Sequence, residues 1–234
     1  MSRYFAIVPA AGSGARFGAE MPKQYLPVLG RPLIFHTLSV LCAHTSIERV
    51  WVVVSPEDQH WRQYDWSVLG PKLETLACGG ATRAETVGNA LKAAAMVARD
   101  SDWVMVHDAA RPCLSRPMLD RLIHELHDDP VGGLLAVPVA DTLKRADNGQ
   151  RVAATEPRDG LWQAQTPQMF PYGILRDALT QCSAVTDEAS AVEALGLKPR
   201  LVRGDTTNLK VTYPADLALA AWILRGHGMA GEGL

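Results

Sequence analysis

Short apolar and β-branched runs recur along the chain at residues 5–8, 50–54, 73–77, 103–106 and 134–137. Their apolar positions are mostly consecutive rather than alternating, the pattern of strands covered on both faces. Between them, residues 33–42, 84–98 and 118–126 space their apolar side chains three and four apart, which predicts amphipathic helices. The alternation of the two patterns predicts right-handed crossovers between parallel strands, and so an α/β fold with a doubly wound, mostly parallel sheet.

The alternation breaks over residues 140–164. There Asn148-Gly149 is a strong local signal for a tight hairpin turn, which predicts a protruding β-arm. A lone hairpin is marginal in water, so the arm must pack on something; a second copy of the chain would serve, as would the arm's own domain. The rest reads as a single domain over residues 1–225, followed by a glycine-rich, flexible tail at 226–234.

Composition narrows the function classes. The 234 residues are 47% hydrophobic and 21% charged, with a formal net charge of -2, which fits an ordinary globular domain and excludes a disordered one. That charge supplies no broad basic field for nucleic acid, so an anionic substrate must be met by a few placed cations. The apolar run at 217–224 is too short to span a bilayer, and Pro9 interrupts the N-terminal run before it resembles a secretory signal. Cys42, Cys78, Cys113 and Cys182 are widely spaced, as reduced thiols in a cytoplasmic protein would be.

Candidate chemistry begins directly after the first predicted strand, where Pro9-Ala10-Ala11-Gly12-Ser13-Gly14 leads to Arg16. Ligands of open α/β sheets lie at the carboxyl ends of strands, and a turn containing Gly12 and Gly14 can present backbone N–H groups to phosphate oxygens. Arg16 and Lys23 place two cations nearby, one a fork and one a mobile point charge, although either also reads as a solvated surface cation. Asp108 ends the predicted strand at 103–106, where it would serve as a Mg²⁺ ligand or as a turn residue. Arg111 reads as the anchor of that loop. Gly79-Gly80-Ala81-Thr82-Arg83-Ala84-Glu85-Thr86 joins a strand to a helix and reads either as a close approach to a flat base or as a capped turn. Lys210 is a third cation available for phosphate. His124 and His127 stand three apart beside acids, but a solvated helix face explains them better than a metal pair.

Taken in order, Pro22-Lys23-Gln24-Tyr25, Gly79-Gly80-x-x-Arg83, His107-Asp108-Ala109-Ala110-Arg111-Pro112, Gln165-Thr166-Pro167-Gln168, Thr186-Asp187-Glu188-Ala189-Ser190 and Asn208-x-Lys210-Val211-Thr212 join the first loop in a chain-long pattern. The pattern closely resembles the 2-C-methyl-D-erythritol 4-phosphate cytidylyltransferase family. That resemblance implies a nucleotide-diphospho-sugar transferase-like, Rossmann-type fold, with CTP and a small polyol phosphate as substrates and Mg²⁺ as cofactor. It implies transition-state stabilisation by Arg16 and Lys23, metal binding by Asp108, and positioning of methylerythritol phosphate by Thr142, Arg158 and Lys210. CTP would lie against Pro9, Ala10, Ala11, Gly12, Ser13, Gly14, Arg16, Lys23, Gly79, Gly80, Arg83, Thr86, Asp108 and Ala109. A homodimer is implied too, with Thr142 and Arg158 of the arm reaching the neighbouring site. Glu156-Pro157 departs from the family's usual Asp beside the arm arginine.

Competing readings are a ribitol 5-phosphate cytidylyltransferase, a nicotinamide-dependent oxidoreductase suggested by the glycine spacing, and a non-catalytic nucleotide-binding regulator. The oxidoreductase reading lacks an acid after the second predicted strand, where Ser55-Pro56 stands.

Overall fold

The structure is a computed structural model that describes residues 2–12, 21–182 and 185–231. In chain order its elements begin with β1 (Tyr4–Pro9), the short pair β2 (Pro27–Val28) and β3 (Arg31–Pro32), α1 (Leu33–Ala43), β4 (Ile47–Val53), β5 (Leu73–Leu76) and α2 (Arg83–Ala94). They continue with β6 (Trp103–Val106), α3 (Arg116–Leu126), β7 (Gly133–Pro138), β8 (Leu143–Ala146), β9 (Val152–Glu156), β10 (Trp162–Pro171), α4 (Tyr172–Gln181), α5 (Glu188–Ala194), β11 (Arg200–Arg203) and α6 (Pro214–Gly231).

Seven strands form the central sheet in the order β11-β7-β10-β6-β1-β4-β5. β1 runs parallel to β4 and β6, β4 to β5, and β7 to β11, whereas β10 is antiparallel to both of its neighbours. The expected doubly wound, mostly parallel sheet is therefore present. Its middle is covered on both faces, as the unbroken apolar runs require: Ala6 and Val8 of β1 join the core on one side, and Phe5 and Ile7 join the core on the other. α1 and α3 contribute Leu38 and Leu122 to the first core; α2, α4 and α5 contribute Leu91, Leu175 and Val192 to the second.

Three boundaries differ from expectation. α2 stops at Ala94 rather than 98, where the Val97 N–H bonds back to the Ala94 carbonyl in a tighter turn. The Arg3 guanidinium then takes the Val97 carbonyl at 2.5 Å and Asp102 at 2.6 Å, which turns the chain down into β6. The free-standing ribbon of the arm is only β8 and β9; within the expected 140–164 span, Trp162–Ala164 pair with β7 as the start of β10. An available strand edge wins there because it satisfies the backbone groups of those residues. Lastly, α6 continues to Gly231, beyond the point where a tail was expected to start, since extending a nucleated helix costs far less than starting one. Among the described helices, none is long and apolar enough to cross a membrane.

Candidate active site

The chain leaves β1 for β4 and β5 on one side, then returns through α2 to β6 on the other side of β1. This reversal makes the carboxyl ends of β1 and β6 a topological switch point, where an open α/β sheet forms a crevice. A cleft of about 460 Å³ lies there. Pro9, Ala10, Ala11 and Gly12 form one wall, with Lys23 beside them; Gly80, Arg83 and Thr86 form another; Asp108, Ala109 and Lys210 close the remainder.

Each wall is held by residues distant in sequence. Gln24, almost wholly buried, donates from Nε2 to the Ala10 carbonyl at 2.8 Å and the Gly12 carbonyl at 3.1 Å, pinning the loop that follows β1. Lys23 Nζ donates to the Val211 carbonyl at 3.1 Å and so ties this wall to the segment carrying Lys210. That segment is in turn held by the Val211 N–H on the Ala110 carbonyl at 2.8 Å, and by Arg111 Nη1 on the Asn208 carbonyl at 2.7 Å. Arg111, expected to anchor Asp108 or its loop, thus ties that loop to the Asn208 segment.

In the β5–α2 turn, Thr82 caps the helix by accepting from the Glu85 N–H at 3.1 Å. Thr86 Oγ1 accepts from the Gly80 N–H at 3.0 Å and donates to the Thr82 carbonyl at 2.9 Å, so its hydroxyl shapes the glycine turn from within. Gly79 sits behind the cleft surface, where a Cβ would collide with that of Ala11 and lie 2.9 Å from the Val54 carbonyl oxygen. Gly79→Ala should therefore force the two cleft-lining loops apart and destabilise the chain by about 1–3 kcal/mol, the usual cost of overpacking. Gly88→Ala in α2, where nothing lies within 4 Å of an added Cβ, should instead stabilise it by about 0.5–1 kcal/mol. Urea unfolding of the two variants checks the contrast; the same sign for both would refute the close-approach reading.

Electrostatics concentrate on Asp108, which is 7% exposed. Its Oδ1 accepts from Arg83 Nε at 3.0 Å, its Oδ2 lies 2.8 Å from Lys210 Nζ, and Arg111 Nε is 3.7 Å away. Burial alone would raise the carboxyl, but Arg83, Lys210 and Arg111 outweigh it and hold Asp108 well below the usual carboxylate range. The neighbouring His107 is fully buried, and burial pushes its imidazole down to about 4. His107 Nε2 faces the Arg111 carbonyl at 3.1 Å and Nδ1 faces the Thr166 hydroxyl at 2.9 Å, so a neutral ring donating from Nε2 braces the strand end. The Thr166 oxygen also accepts from the Asp108 N–H at 3.0 Å.

The fold thus gathers most of the expected nucleotide residues into one cleft, with Gly79 supporting it from behind. Ser13, Gly14 and Arg16 lie outside the described residues. Thr142 and Arg158 are exposed on the arm and do not line this cleft; Arg158 Nη1 donates to the Ala140 carbonyl at the arm's base. Sequence reasoning assigned no role to Gln24, His107 or Glu188, although each lies inside a motif it had marked. A buried polar residue cannot be told from an exposed one by local spacing alone.

A cation-rimmed acid and a pinned glycine-bearing loop thus meet at the switch point of a doubly wound sheet. The family model for 2-C-methyl-D-erythritol 4-phosphate cytidylyltransferase matches residues 4–226. A protein of that description from Dechloromonas aromatica (strain RCB) is 75% identical over 227 residues, spanning 97% of this chain and 100% of the relative. One from Azoarcus sp. (strain BH72) is 67% identical, spanning 96% and 95% respectively. A crystal structure of 4-diphosphocytidyl-2C-methyl-D-erythritol synthase superposes with a TM-score of 0.85 at 42% identity, covering 96% of this chain and 100% of the other. The Francisella tularensis cytidylyltransferase gives a TM-score of 0.80 at 33% identity, covering 95% and 100%. The chain belongs to the 2-C-methyl-D-erythritol 4-phosphate cytidylyltransferase family, whose reaction is a step of non-mevalonate isoprenoid biosynthesis. The oxidoreductase and regulator alternatives fall with this assignment.

Proposed function

We propose that this cleft binds CTP and aligns it with 2-C-methyl-D-erythritol 4-phosphate, so that the acceptor phosphate takes the CMP group and pyrophosphate leaves. The observation that carries this reading is the convergence of Asp108, Lys210 and Lys23 on one cleft at the switch point. A phosphate monoester with its second pKa near ~6 is already largely dianionic at neutral pH, so it can attack the α-phosphorus without a general base. What the protein must supply is alignment of two mutually repelling anions and neutralisation of the charge that grows on the leaving pyrophosphate.

Lys23 and Arg16 take the triphosphate in this scheme, with the backbone of residues 9–14 beside it. Gly80, Arg83, Thr86 and Ala109 bound the nucleoside side of the cleft, with Gly79 supporting them from behind. Lys210 receives the acceptor phosphate, and Thr142 and Arg158 complete that subsite from the arm of a second copy in a homodimer. Exposure of both arm residues away from their own chain's cleft supports this sharing.

Asp108 is the proposed Mg²⁺ ligand. One hard carboxylate plus substrate phosphates is a donor set that Mg²⁺ accepts, and among the described residues no cluster of three or more His, Cys, Asp or Glu offers a protein-only site. Bound there, Mg²⁺ would supply charge neutralisation on the nucleotide phosphates. Lys210 and Arg83 keep the acid ionised when it is not so engaged. The four described cysteines are free, in keeping with a reducing cytoplasm as the proposed location.

Pyrophosphate release should require CTP and a divalent metal, and methylerythritol phosphate should outperform ribitol 5-phosphate as acceptor. Equal turnover of the two alcohols would remove the acceptor assignment while leaving the nucleotide chemistry in place.

A further inference from the structure

Glu188 is 1% exposed and comes from the start of α5, 105 positions from the arginine it binds. Its Oε1 accepts from Arg83 Nη1 at 2.6 Å and its Oε2 from Arg83 Nη2 at 3.0 Å, a bidentate pair. The third nitrogen of the same guanidinium, Nε, reaches Asp108 Oδ1 at 3.0 Å. Arg83 therefore bridges two acids, spending both ends of its fork on Glu188 and only its inner nitrogen on Asp108.

Glu188 is itself firmly placed. Gln168, 1% exposed, accepts from the Ala189 N–H at 2.7 Å and donates to Asp187 Oδ2 at 2.9 Å, while Asp187 caps α5 through the Ser190 N–H at 2.9 Å. Burial raises the Glu188 carboxyl above its usual range, and the Arg83 charge opposes that rise. A half-buried guanidinium that lost this partner would turn to the nearest remaining acid, because a partly desolvated charge left uncompensated is unfavourable. That acid is Asp108.

We propose that Glu188 is a positioning residue for metal-assisted CTP binding: by holding the Arg83 fork, it prevents that fork from closing on Asp108 and leaves Asp108 available to the cleft. The inference rests on the reading of Asp108 as the metal ligand. Glu188 touches neither substrate nor metal in this scheme and acts only through Arg83.

The test measures Mn²⁺ binding to the full chain in the presence of CTP, without acceptor, by water-proton relaxation. Glu188→Gln should weaken Mn²⁺ binding by about 10-fold, the lower end of the range for removing a group that supports a metal ligand. In an Arg83→Met background the same substitution should have no further effect, since the fork that would close on Asp108 is gone. Unchanged Mn²⁺ affinity in folded Glu188→Gln overturns the proposal, as does an equal loss in the Arg83→Met background. If Glu188→Gln does not fold, the double variant removes both partners of the ion pair together and must match Arg83→Met alone; a difference overturns the proposal. Wild-type protein that binds no Mn²⁺ with CTP, or Asp108→Asn that binds it normally, would instead sink the metal reading beneath it.

Discussion

Lys23→Ala is expected to slow pyrophosphate release by ~10² or more while the chain stays folded, the scale for removing one preorganised donor from a site of developing charge. Lys23 lines the cleft, and its ammonium donates to the Val211 carbonyl at 3.1 Å. Loss of that bond should cost little stability beside the neighbouring Gln24 and Tyr25, which are both buried and remain in place. Arg16→Ala should produce a loss of the same order, for the same electrostatic reason. Steady-state pyrophosphate release, paired with urea unfolding, separates lost catalysis from lost fold. Near-normal turnover in a folded variant would return that residue to the role of a solvated surface cation.

Two inactive chains should rescue each other. If Arg158 completes the partner's acceptor subsite, a heterodimer of Lys23→Ala with Arg158→Ala contains one site with both residues intact and one site with neither. Random mixing makes half of the dimers mixed, each with one good site of two, so activity should recover to roughly a quarter of wild type. The geometry behind this expectation is the exposed position of Arg158, at the base of the β8–β9 ribbon and outside the cleft lining of its own chain. The measurement is pyrophosphate release after the two variants are co-refolded, with heterodimers verified by mass. Verified heterodimers that stay inactive would place Arg158 in its own chain's chemistry.

Much of this architecture was legible in order along the chain. Unbroken apolar runs marked β1, β4, β6 and β7, because a strand covered on both faces needs no polar alternation. Asn148-Gly149 marked the ribbon of β8 and β9, although the turn that closes it runs through Gln150, whose N–H bonds to the Asp147 carbonyl at 3.1 Å and which takes the positive φ itself. β10 escaped, because it is antiparallel and breaks register between Ala164 and Gln168, where its partner changes from one segment of β7 to another. A strand defined by its neighbours carries little local signature.

The same division runs through the site. The sequence by itself determined which residue types were available for phosphate and metal chemistry, that Asp108 would end a central strand, and that a glycine-bearing loop would follow β1; each depends on local spacing and side-chain chemistry. It also carried the family resemblance, which the comparisons established. Only the tertiary structure decided that Lys23 would meet Val211, 188 positions away, and that Lys210 would lie 2.8 Å from Asp108. It alone decided that Arg83, read from sequence as a nucleotide contact, would divide its guanidinium between Glu188 and Asp108. Such pairings depend on burial and on the crossing of distant elements: a charge removed from water must take whichever partner the fold places beside it, and no local pattern specifies that partner.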